Sequence, residues 1–318
     1  MSALKVVAFL AVLFLLTTHS AADPPSWAYP MNPPGFKPPP DDGSPRRVPG
    51  SNATYTLTQL RDLFATPDWH PQDHPPMPDI VSRGRKPGVQ ACGVCHRAAG
   101  TGGPENSSLA GLPADYIVQQ MRDYKSGLRK TSVPDRLPGK LMIALAQQAT
   151  EDDVQEAAKY FSAVKLQRIV TVRETDLVPK TRVSAWFLIA APNGDKEPVG
   201  QRIIELAENL EQFVNRDSRV RFVAYVPVGS IEKGRSLATT GGNGRTVPCA
   251  SCHGPDLKGL GPVPGIAGRP PTYAFRQLYE FKDGARAGPG AAQMKPSVEK
   301  LTTEDMVALV AYAASLEP

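Results

Sequence analysis

Cysteine is scarce in this chain of 318 residues: there are four, beside five histidines. So few thiols cannot staple a disulfide-dense secreted scaffold of this length. After Leu16 no apolar run approaches the roughly 20 residues that a membrane-spanning helix needs, so no later span is expected. A dense Lys/Arg tract is also missing, and the net charge of +5 is thinly spread. Nucleic acid is therefore not an expected partner.

The four cysteines fall into two copies of one pattern, Cys92-Gly93-Val94-Cys95-His96 and Cys249-Ala250-Ser251-Cys252-His253. A lone C-x-x-C is compatible with a thioredoxin-like redox pair or half a zinc site, and four thiols with two disulfides. None of these explains a histidine directly after each pair. C-x-x-C-H is the pattern of covalent c-type haem attachment, in which two thiols bond the porphyrin edge and the histidine ligates iron. Two covalently attached haem c groups are expected.

Lys5, the apolar run Val6 to Leu16, and the small residues before Asp23 read as a secretory signal over residues 1–22. Export suits the haem, because bacterial c-type attachment takes place outside the cytoplasmic membrane. A periplasmic protein is expected, soluble unless the leader is retained as an anchor. Removal of the leader takes away one lysine and no acid, and haem propionates offset much of the remaining positive charge.

Residues 23–54 form a Pro-rich arm, with ten prolines between Asp23 and Gly50, so an extended segment is expected there. Leu57, Leu60, Leu63 and Phe64 lie on one face of an opening helix. A turn-rich loop follows, containing His70, His74 and Met77 and expected to face solvent. Tyr116, Gln120 and Tyr124 recur four apart on a helix after Pro113, and Thr150 caps another that carries Val154, Ala157, Ala158 and Phe161. Between Gln167 and Val226 three β-rich runs are expected, 168–172, 182–190 and 219–226. Helices then follow from Ser230, Pro271 and Thr303.

The two haem units overlay. An offset of 157 carries Cys92, Cys95 and His96 onto Cys249, Cys252 and His253, and also Tyr116, Gln120, Tyr124, Lys125 and Gly127 onto Tyr273, Gln277, Phe281, Lys282 and Gly284. Farther on the offset is 152, pairing Met142 with Met294, Thr150 with Thr302, Asp153 with Asp305 and Tyr160 with Tyr312. One period serving both a motif and a distant helix indicates a duplicated unit. Met121 matches Leu278 and Met306 matches Val154, so sulfur is not required at either position, and packing is expected. Met142 and Met294 match each other and are the expected distal ligands, placed in loops opposite His96 and His253. Met77, His70 and His74 are competitors for Met142 within the first unit. The Gly-Pro-Val-Pro-Gly stretch after His253 offers a carbonyl to Nδ1 of the imidazole. The corresponding segment 100–111 is more polar, and a more exposed haem edge is expected there.

The sequence resembles a dihaem class I cytochrome c of the cytochrome c4 type, most closely in Cys249 to Pro255, Pro264 to Gly268, the Tyr273-to-Gly284 helix and Met294. The resemblance covers 230–318 well and 55–164 more loosely. It implies a mainly α fold with two cytochrome c-type haem domains, 55–166 and 228–318. The Pro-rich arm and the small β-rich insertion or linker expected at 167–227 from the strand pattern depart from the compact family plan. The resemblance also implies His96/Met142 and His253/Met294 iron ligation. The expected function is single-electron transfer between a redox-protein donor and acceptor, with a dehydrogenase or membrane oxidase complex as one setting. A dihaem peroxidase or small-molecule oxidoreductase is the alternative.

Overall fold

The computed structural model describes residues 23–318, so the expected leader lies outside the described residues. The N-terminal helical unit contains α1 (Leu57–Arg61), α2 (Asp79–Ser82), α3 (Cys92–His96), α4 (Ala114–Lys125), α5 (Leu137–Gln148) and α6 (Glu151–Ala163). The strand region follows with β1 (Val170–Glu174), β2 (Leu177–Pro179), β3 (Thr181–Ser184), β4 (Phe187–Ala190), β5 (Lys196–Pro198), β6 (Ile204–Ala207), α7 (Leu210–Val214) and β7 (Phe222–Val226). The C-terminal helical unit contains α8 (Ser230–Thr240), α9 (Ala250–His253), α10 (Pro271–Lys282), α11 (Pro289–Val298) and α12 (Thr303–Ser315). Among the described residues, no helix is long and apolar enough to cross a membrane.

Helix ends repeat because their capping chemistry repeats. Thr150 and Thr302 each accept from the amide of an aspartate three residues on, Asp153 and Asp305, whose carboxylate accepts from the cap amide in return. This reciprocal box satisfies two amides that a helix start otherwise leaves bare. α4 and α10 each begin directly after a proline, Pro113 and Pro270. α1 is shorter than its apolar spacing suggested: Thr56 and Gln59 form a capping box, but the backbone turns extended at Asp62.

Met142 and Met294 lie in helices α5 and α11, not in loops. The Gly/Pro content of these stretches suggested otherwise. Proline, however, costs little in a first helical turn, where Pro138 and Pro289 sit, because the missing amide had no partner there.

β7 lies between β1, which it pairs in parallel, and β6, which it pairs antiparallel. The run 182–190 is a β3–β4 hairpin, broken where Ala185 takes a positive φ of 54°. β2, β5 and β6 fall outside the expected runs; Lys196-Glu197-Pro198 has no β-branched residue to mark it. Val170, Phe222 and Ala224 share one buried cluster with Leu237, Phe275, Met306 and Leu309 of the C-terminal unit. The N-terminal unit has its own cluster around Ile117, Val118, Ala158 and Phe161.

The arm ties the ends of the molecule together. Trp27 packs on Phe275 at 4.5 Å between ring centroids, and Ala28 and Tyr29 are buried against the C-terminal unit. Farther along, Asp41 accepts from the amide of Thr58, and Arg61 donates to the carbonyl of Pro39.

Candidate functional site

In each C-x-x-C-H turn, one short helical segment places two thiols three residues apart on the same side. The four cysteines are unpaired. Burial pushes the Cys92 thiol up to about 12 and the Cys249 thiol to about 11. Neutral, desolvated thiols of this kind are unlike the low-pKa thiolate of a redox C-x-x-C pair. No group of three His, Cys, Asp or Glu side chains stands together as a metal site among the described residues, so a zinc reading has no ligand set.

Both imidazoles are held in the same way. His96 Nδ1 lies 2.8 Å from the carbonyl oxygen of Ser107, and His253 Nδ1 lies 2.7 Å from that of Pro264. A carbonyl can only accept, so each Nδ1 carries the proton and each Nε2 keeps its lone pair free for a metal. The amides of Gly102 and Gly259 donate back to the carbonyls of His96 and His253, closing matched loops. Burial lowers the proton affinity of both rings.

A cavity of about 920 Å³ opens beside α3. Cys92, Cys95, His96 and Met142 line it together, with Ile117, Met121, Phe161 and Val154 as apolar wall. Arg129 and Arg136 are buried in the same lining, and the Nε of each lacks a hydrogen-bond partner. A largely apolar slot lined by two buried arginines, each with a free Nε, fits a group that combines a flat apolar ring and carboxylates. Haem is such a group.

The competitors of Met142 lie away from the cavity. His70 is buried, against the expectation of a solvent-facing loop, with Nε2 3.1 Å from Asp217 Oδ1. The residues after α7 cover that loop, and Trp69 beside it donates to the carbonyl of Asn215. His74 is bound through Nε2 to Asp68 at 3.2 Å. Met77 packs on the N-terminal core. None of the three lines the cavity. In the C-terminal unit Cys249 and Met294 pack against the same buried cluster, and Met306 is a core residue at 2% exposure. The Tyr160 hydroxyl donates to the carbonyl of Ala98.

The two motifs differ in cover. Gly93 and Val94 are buried, whereas their counterparts Ala250 and Ser251 are half-buried and exposed, and Cys252 is exposed. Thr66 and the Val81 carbonyl lie over Gly93, and Arg216 donates to the carbonyls of Val94 at 2.6 Å and Leu60 at 2.8 Å. Segment 100–104 is likewise buried, contrary to the expected open edge, because Arg276 reaches across to the carbonyls of Pro104 and Glu105.

Between the helical units lies a pseudo-two-fold seam that the offsets, followed only as far as Gly127, leave unmarked. Arg129 donates to Gln120, Tyr273 and Gln277; Arg286 donates to Gln277 and Gln120 and approaches the Tyr116 hydroxyl at 3.4 Å. Arg129 stacks over Tyr124 and Arg286 over Phe281, at 4.5 and 4.0 Å. The amides of Lys130 and Ala287 donate across the seam to Ala285 and Leu128. Arg129 and Arg286 are themselves 157 positions apart, so extending the repeat by two residues beyond Gly127 would have found them.

A cytochrome c family model matches residues 231–317. Such a match, with the haem-attachment turn inside it, defines a c-type haem protein. Cytochrome c-554(548) of Halomonas halodenitrificans is 39% identical over 22% of this chain and 84% of its own length. Cytochrome c4 of Azotobacter vinelandii is 24% identical over 71% of this chain and 84% of its own. The thiosulfate dehydrogenase electron acceptor of Thiomonas intermedia is 24% identical over 72% of this chain and 80% of its own. The chain belongs to the class I cytochrome c family and is cytochrome c4-like.

Proposed function

We propose that this protein is a periplasmic dihaem cytochrome carrying single electrons between redox proteins. Haem c would be fixed at Cys92/Cys95 and Cys249/Cys252, with His96/Met142 and His253/Met294 as axial ligands. The observation that carries the reading is the matched anchoring of the two imidazoles, each with Nε2 free beside a thiol pair. Bound haem would supply a one-electron iron couple, and thioether sulfur from Met142 and Met294 would favour its reduced form. The protein fixes the imidazole tautomer, excludes water with apolar walls, and holds the two units together through the arginine seam.

The donor and acceptor are proposed to be redox proteins. Resemblance to an electron acceptor of thiosulfate dehydrogenase makes a dehydrogenase the favoured donor class. Residues 167–227, additional to the two helical units, are proposed as a β-rich insertion that covers the first motif. The peroxidase alternative draws no support from the cavity, since neither His70 nor His74 lines it.

Mass spectrometry of the exported protein should find two covalently added haems, and its ferrous form should stay six-coordinate in carbon monoxide at neutral pH. Absence of added haem mass refutes attachment. Rapid stoichiometric carbon monoxide binding at both irons refutes the methionine ligands.

A further inference from the structure

The geometry points to Arg136 as a positioning residue specific to the N-terminal site, binding a carboxylate of the porphyrin attached at Cys92 and Cys95 and setting the reduction potential of that haem alone. The inference rests on the proposed presence of haem in this cavity. Arg136 is 5% exposed and lines the cavity from the N-cap of α5. A guanidinium nitrogen of Arg136 donates to the carbonyl of Trp186, at the β3–β4 turn, at 2.9 Å. Its Nε is buried and has no hydrogen-bond partner. A charged fork pinned at one end with a donor left over is built for an acceptor that the polypeptide does not supply.

The neighbouring carboxylates do not fill that role. Glu105 stands 3.7 Å from Arg97, and Glu280 lies in the field of Arg129, Arg276 and Arg286. Both lie in the field of Arg136, but among the described residues neither stands within ion-pair distance of it. Burial, and then the like charge of Arg276, pull its guanidinium down to about 9, and the charges of Glu105, Tyr29 and Glu280 offset only part of that.

At the matching position the C-terminal unit has no cation. The N-cap of α11, matching that of α5, is Gly288, where a Cβ would stand 2.1 Å from Asp123 Oδ2. No side chain fits there, so the cation belongs to one site only. A buried positive charge disfavours the more positive ferric iron, and a porphyrin carboxylate left without it favours the ferric state. Both effects have one sign: loss of Arg136 lowers the potential of the N-terminal haem.

The test uses the full-length holoprotein with Arg136→Gln and Arg136→Lys. Gln keeps a donor for the Trp186 carbonyl but removes the charge; Lys keeps the charge. Haem content is measured first by mass, then both midpoints by spectroelectrochemical titration. The expected result is two haems in every protein, with one midpoint in Arg136→Gln lower by about tenfold in the ferric/ferrous equilibrium, about 59 mV for one electron. Arg136→Lys should recover most of that shift. Unchanged midpoints, equal falls at both haems, or a fall in Arg136→Lys as large as in Arg136→Gln would overturn the inference. Wild-type protein lacking haem mass at Cys92 and Cys95 would instead overturn the functional reading beneath it.

Discussion

The two helical units share a period, a helix order and an imidazole anchor, yet one motif is sealed and the other is open. The N-terminal turn is covered by Arg216 and by the chain after α7, with Val94 at 1% exposure. The C-terminal turn leaves Cys252 exposed, flanked by Val247 and Leu260 at 41% and 63%. Their cores differ too. α8 crosses α12 so closely that Gly234 lies against the Ala308 carbonyl, while the five-residue α1 packs with Val48 and Trp69. A duplicated fold keeps its metal-side geometry because chemistry constrains it, whereas the outer cover is free to diverge.

The largest expected effect breaks this contrast outright. Reduction of the ferric holoprotein by a small reductant, followed by stopped flow, should be biphasic. Cys249→Ser with Cys252→Ser should abolish the faster phase and spare the slower. Loss of the slower phase instead would mean that the sealed unit is the accessible one.

Core substitutions should separate the units next. Phe161 is 1% exposed and packs at 6.1 Å from the His96 ring, so Phe161→Ala should cost about 3–5 kcal/mol. Its counterpart is Ala313, whose carbonyl accepts from Gly268 as that of Phe161 accepts from Gly111. The damage should therefore appear as early urea unfolding of the N-terminal haem environment alone. In the other unit, Gly234→Ala would place a Cβ 2.0 Å from the Ala308 oxygen and 2.7 Å from Tyr312 Cβ. Backbone cannot yield as a side chain can, and separating the helices should cost about 1–3 kcal/mol. A neutral Gly234→Ala, read by the urea midpoint of the C-terminal haem band, would remove the crossing from the comparison.

Much of this was legible from residues. The motifs, the 157 and 152 offsets and the threonine caps placed α4, α6, α10 and α12 to within a residue, because helix starts are written in local chemistry. The packing role of Met306 followed from its match to Val154. What escaped was non-local. No spacing reports that Arg216 reaches Val94 or that Asp217 approaches His70, since those pairs are more than a hundred positions apart. Arg136 was silent because a residue without a repeat mate leaves no periodic trace. Met142 and Met294 were paired by the repeat but put in loops, since composition weighs proline without its position in a helix.

The smallest contrast lies in the caps. Thr150→Ala and Thr302→Ala should each cost about 1 kcal/mol, but the acids behind them differ. Asp305 is 1% exposed in its side chain and paired with Lys233 at 3.0 Å and Arg245 at 3.2 Å; Asp153 pairs with a half-exposed Arg85 at 2.8 Å. Burial pushes the Asp305 carboxyl up, but the Thr302 amide and the Lys233 ammonium outweigh it and hold the group below the usual range. At Asp153 burial is likewise outweighed, by Arg85 and the Thr150 amide. A carboxylate with a depressed folded-state pKa contributes its stability above the unfolded value, about 3.9, and loses it as pH falls through the folded value. Asp305→Asn should therefore destabilise the C-terminal unit at neutral pH and converge on wild type in acid, with Asp153→Asn showing the same trend more weakly because solvent screens its partner. Urea midpoints across that acid range check the order, and equal effects at the two caps would mean that burial does not separate the units at their last helices.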